Sequence, residues 1–111
     1  MNGQDLHRLK ELADLMLDLR LQALRATADA KAKSEAALAA LARPADKTDD
    51  LVGASAQLAA LAYGRWADAR RAEINQVLAR QTGQWIEARD AAEIAFGKAN
   101  ALKRLMVRLG K

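Results

Sequence analysis

The chain is predicted to be all-α, a long antiparallel two-helix coiled-coil hairpin, and three observations carry that expectation. Of its 111 residues, 27 are alanine, the residue that loses least entropy on entering a helix. Apolar residues recur at spacings of three and four on both sides of Pro44, the single proline. β-branched residues are few, which argues against a sheet.

The first helix is expected from about Gln4 to Ala42 or Arg43. Leu9, Leu12, Met16, Leu19, Ala23, Ala26, Ala30, Lys33, Ala37 and Ala40 make a heptad seam with one polar break at Lys33. Leu15, Leu17, Leu19 and Leu21 alternate as a strand would, but strong helix formers surround them. Counting Leu6 and Leu24 as well, leucines cover most of the helix circumference, more than one antiparallel neighbour can bury.

The turn is expected over about 44–53. Pro44 cannot continue a helix interior and pushes Arg43 toward extended geometry. The polar run Asp46-Lys47-Thr48-Asp49-Asp50 follows, with Thr48 or Ser55 as candidate N-cap for the next helix.

The second helix is expected over about 54–109. Its seam reads Ile74, Leu78, Gln81, Trp85, Ala88, Ala92, Ala95, Ala99, Leu102, Met106 and Leu109, with Gln81 alone polar. Gly64, Gly83 and Gly97 each weaken a helix interior by about 1 kcal/mol relative to alanine. A break at Gly83 would give three helices. Helices of about 40 and 56 residues span about 60 and 84 Å, so a fold-back at the turn leaves a C-terminal overhang of about 24 Å.

Composition narrows the chemistry. Without cysteine there is no disulfide and no thiolate nucleophile or ligand. The start, Met1-Asn2-Gly3-Gln4-Asp5, lacks the layout of a signal peptide, and no apolar run is long enough for a transmembrane helix. A cytoplasmic protein is the expectation. His7 and Glu11 are one helical turn apart, but no second ligand pair completes a metal centre. Ser34 and Ser55 have no evident base, Asp14 and Asp18 share a helix face, and no glycine-rich phosphate loop exists. The expectation is a non-enzyme without cofactor or metal.

What remains are contact surfaces. Lys98, Lys103, Arg104, Arg108 and Lys111 form a basic end without an acid, beside the apolar Leu102, Leu105, Met106 and Leu109. That pairing suits an acidic protein surface. Trp66 falls off the seam, and with Tyr63, Arg70 and Ile74 it recurs at helical spacing as a recognition stripe.

Arg65-Trp66, then Ile74, Leu78, Gln81, Trp85, Arg89, Ala92, Phe96 and the leucine-rich basic C-terminus resemble the FliJ/YscO family of flagellar and virulence type III export systems. The resemblance implies a stalk that inserts its paired termini into a hexameric export ATPase ring, contacts the export gate and escorts substrate chaperones. Carried over by position, Leu6, Leu9, Leu12 and Met16 with Leu102, Leu105, Met106 and Leu109 enter the ring. The basic Lys103, Arg104 and Arg108 lie among them. Trp66, Arg70, Ile74 and Val77 meet the export-gate protein, and the protein would sit at the flagellar base. Two other readings compete. One is a self-assembling helical bundle, a homodimer with a scaffold role. The other is a basic amphipathic module on anionic membrane or nucleic acid, the latter disfavoured because aromatics do not interleave with the charges.

Overall fold

In the computed structural model the described residues are 2–41 and 53–110, and they form two helices, α1 (Gly3–Leu41) and α2 (Ala54–Leu109). The fold is all-α, a two-helix hairpin, with no strand among the described residues. Residues 42–52, including Arg43, Pro44, Thr48 and most of the expected turn, lie outside the described residues, as does Lys111.

Each helix start has a local cause. Asn2 caps α1: its Oδ1 accepts the Asp5 backbone N–H at 2.8 Å and its carbonyl accepts that of Leu6 at 3.2 Å. The Asp5 carboxylate then sits in the first turn, at the positive end of the helix. Gly53 immediately precedes α2, and its carbonyl accepts the Gln57 N–H at 3.3 Å. Gly53 has φ of 80°, a left-handed conformation that a residue with a Cβ adopts only under strain. Ser55, a candidate cap from sequence, instead lies inside the first turn. At the other end the Gly110 N–H returns to the Met106 carbonyl at 2.9 Å. α2 is continuous through Gly64, Gly83 and Gly97, so the three-helix alternative does not hold.

The chain forms two compact units, Met1–Asp29 with Thr82–Lys111 and Ala30–Gln81, here termed the terminal and the middle unit. In the terminal unit Leu6 of α1 and Ala92, Ala95 and Ala99 of α2 are buried. In the middle unit the buried residues are Ala67 and Ile74, and Ser34 Oγ donates to Gln81 Oε1 at 2.6 Å. This core is thin. Four of the six buried residues are alanines, each with little area to remove from water.

The α2 seam follows the expected alternation: Ala67, Arg71, Ile74, Leu78, Gln81, Trp85, Ala88, Ala92, Ala95, Ala99, Leu102 and Met106 are buried or half-buried. Leu109, expected to close it, is exposed.

The α1 seam differs from expectation. Its inward positions are Leu6, Lys10, Ala13, Leu17, Leu21, Leu24, Thr27, Ala28, Ala30, Lys31, Ser34, Ala37, Leu38 and Leu41, so of the expected seam only Ala30 and Ala37 are half-buried. Leu9, Leu12 and Met16 stand one residue away, about 100° around the helix, Leu19 stands two residues from Leu17 and Leu21, and all four are exposed. So is Lys33, the expected polar break. The error has a physical origin: leucines on nearly every side offered several seams, and the true one contains two lysines. Lys10 and Lys31 lay their methylene stems along the seam and place their ammonium groups on Asp14 at 2.6 Å and Glu35 at 2.5 Å.

The C-terminal overhang is also corrected. In the terminal unit Leu9 and Leu102 line one groove and Leu6 is buried, so the last turns of α2 lie beside the first turns of α1. The surplus length falls in the middle unit, where α1 supplies residues 30–41 and α2 supplies 54–81. The helices are therefore not level at the turn, the premise from which the overhang followed.

Candidate docking surface

Because α1 turns Leu6, Leu17, Leu21 and Leu24 inward, Leu9, Leu12, Met16 and others of its leucines face outward. In the terminal unit they form one wall of an open groove of about 580 Å³. Leu9, Leu12 and Met16 make the α1 wall, while Ile94 and Leu102 stand on the α2 wall over small alanines, the buried Ala95 among them. Leu12 is 58% exposed and Ile94 60%, although both are large and apolar. Two cations edge the groove, Arg20 from α1 and Lys98 from α2, and no carboxylate lines it.

Phe96 stands two residues from Ile94, about 200° around α2, and so points to the other side. There it meets Leu17, Leu21 and Leu24 along a smaller depression of about 370 Å³, with Arg89 and Glu93 at its edge. The Arg89 guanidinium lies 5.3 Å from the centre of the Trp85 ring, a cation–π geometry that holds both side chains over the seam.

At the C-terminal end, Lys103, Arg104 and Arg108 gather with Asn100 and Val107 around a third depression. Leu105 and Leu109 are exposed beside them, while Leu102 and Met106 are half-buried. Of the basic end read from the sequence, Lys103, Arg104 and Arg108 share this depression, Lys98 lines the groove instead, and Lys111 lies outside the described residues.

The structure sorts the expected contact residues. Leu9, Leu12, Met16, Leu105 and Leu109 are available to a partner, and Leu102 and Met106 in part. Leu6 is not, being 4% exposed. In the middle unit Trp66 is 56% exposed, with its ring 5.7 Å from that of Tyr63, and Val77 and Arg70 are exposed. Ile74 is buried in the seam and leaves the proposed stripe. Arg70 is engaged with Glu73 at 3.1 Å.

Ile94 and Arg20 are groove residues that sequence reading missed, and Lys98 was read as part of the basic end and not of a groove. The signal was there: once Ala92, Ala95 and Ala99 define the inward side of α2, Ile94 and Lys98 necessarily flank it.

His7 Nε2 lies 3.3 Å from Glu11 Oε1 at a solvated surface. Among the described residues no three His, Cys, Asp or Glu side chains converge to hold a metal ion. No helix there is long and apolar enough to cross a membrane. No family model matches the chain, and comparison with curated proteins and with solved structures returns no match.

Proposed function

We propose that this protein is a non-enzymatic helical-hairpin adaptor that works by docking its terminal unit on a protein partner, as a FliJ-like stalk of a type III export ATPase. One observation carries the reading. The terminal unit keeps Leu9, Leu12, Met16, Ile94, Leu105 and Leu109 exposed beside the basic Lys103, Arg104 and Arg108, although its own core is built largely from alanine. A thin core and a surplus of solvent-facing leucine are the reverse of what isolated stability favours, and a partner that covers the leucines removes the conflict.

The work of such a stalk is mechanical. The paired ends of α1 and α2 enter the ATPase ring, where the basic residues meet acidic groups of the ring and the leucines fill apolar sites. Nucleotide-driven changes around the ring then turn or shift the helices, and the middle unit, through Trp66 and Val77, passes the change to the export gate. No bond is made or broken by the stalk itself. The protein acts in the cytoplasm at the flagellar base.

Capture of the purified hexameric export ATPase tests the reading. Leu105→Asp with Leu109→Asp should abolish capture while helicity by circular dichroism stays near wild type, since both residues are exposed. Capture unchanged by the pair, or absent with the wild-type chain, overturns it.

A further inference from the structure

We infer that the groove of the terminal unit is a receptor for a single amphipathic helix carrying carboxylates along its flanks. The inference rests on the reading of the terminal unit as the docking end, and it names the chemistry of the partner at one face of it.

Shape argues first. The groove is lined by Ala13, Ala91 and Ala95, which stand nearer the helix seams, and by the larger and more exposed Leu9, Leu12 and Met16 on one side and Ile94 on the other, with the half-buried Leu102 at one end. Small residues near the seams with larger ones beside them leave a trough that admits a convex cylinder. An α-helix is such a cylinder, and laying a third helix on two is an ordinary way to complete a bundle. The walls run Leu9–Arg20 and Ala91–Leu102, about 16 Å or three helical turns each. That length takes three or four anchors at i, i+3 or i+4, and i+7. Met16 is unbranched and adapts its shape to the anchor it meets. A membrane surface, by contrast, is best met by a convex apolar face.

Charge selects the occupant. Arg20 and Lys98 stand on opposite walls, and neither is ion-paired among the described residues. Other basic side chains near the seams, Lys10, Lys31 and Arg71, each hold a carboxylate. A helix lying between two unpaired cations gains most if its flanks carry Glu or Asp. A second copy docking the same face by two-fold symmetry sets this basic rim against itself, which like-charge repulsion opposes. The occupant is therefore a different chain with acidic flanks.

The test uses the full chain and a fluorescent peptide of roughly 18 residues, long enough to approach helicity. Leucine occupies its a and d positions and glutamate its flanks; a second peptide carries lysine instead of glutamate. The glutamate peptide should bind about tenfold more tightly than the lysine peptide, and Arg20→Glu with Lys98→Glu should invert that order. Leu12→Glu should remove binding of the glutamate peptide, with helicity retained because Leu12 is solvent-facing. Several results overturn the inference: equal affinity for the two peptides, binding indifferent to Leu12→Glu, or no binding. So does a wild-type dimer in sedimentation that Leu12→Glu converts to monomer, because a second copy then owns the groove. Binding to phosphatidylserine vesicles that Leu12→Glu abolishes, with no peptide bound, likewise assigns the face to a membrane. If the peptide fails while the export ATPase is still captured through Leu105 and Leu109, this inference falls alone.

Discussion

Ser34 and Gln81 are joined by a 2.6 Å hydrogen bond from Oγ to Oε1, 47 residues apart in the chain. Both side chains stand on the inward seams of the middle unit, and the bond is directional where the buried Ala67 and Ile74 beside it are apolar. Ser34→Ala leaves the Gln81 carboxamide oxygen without this donor and should cost about 1 kcal/mol in urea denaturation. Replacing both, Ser34→Ala with Gln81→Leu, should restore or exceed wild-type stability, because no polar group is then left half-satisfied. A double variant weaker than the single one would show that Gln81 is held by other contacts.

The two faces of α1 make a second prediction. Leu6 is buried and Leu12 solvent-facing, though both are leucines of the same helix. Leu6→Ala should destabilise by about 2–3 kcal/mol, the usual effect of emptying a leucine site. Leu12→Ala should change stability by no more than about 0.5 kcal/mol. Similar losses at both positions would return the seam to Leu9, Leu12, Met16 and Leu19.

Gly83 lies in the interior of α2, and a Cβ built on it meets nothing within 4 Å. Gly83→Ala should therefore raise stability by about 1 kcal/mol, read as a higher Tm. A lower Tm would mean that the helix needs to bend at this point.

The basic end gives a prediction in salt. Lys103, Arg104 and Arg108 are exposed, so their attraction to an acidic partner is screened once ions are added. ATPase binding should weaken as salt rises from 0.05 to about 0.3 M, and Lys103→Glu with Arg104→Glu should flatten that dependence. An equal salt slope in the variant would place the charge contact elsewhere.

The sequence was most readable in α2, where Ile74, Leu78, Trp85 and the alanines to Ala99 make a long unbroken seam that the helix turns inward, while Val77, Ile86, Ile94 and Phe96 are isolated apolar residues left exposed. In α1 the leucines surround the axis, and the register is settled by long-range packing that local spacing does not encode. The seam there runs through Lys10 and Lys31, whose heads look solvated from sequence although their stems are partly buried. The same ambiguity hid the groove. Leu9, Leu12 and Met16 fitted both an inward seam and, by resemblance, a partner contact, and their exposure beside the inward Leu6 and Leu17 removes the first of these. Leu6 and Ile74 moved the other way, from expected contact to core.

The most direct measurement is a titration of the full chain with the purified hexameric export ATPase, followed by fluorescence of Trp66 and Trp85 or by calorimetry. The account predicts saturable binding with one chain per ring, lost when Leu105 and Leu109 become aspartate. No binding up to about 100 µM, a range that detects even weak specific complexes, would contradict it.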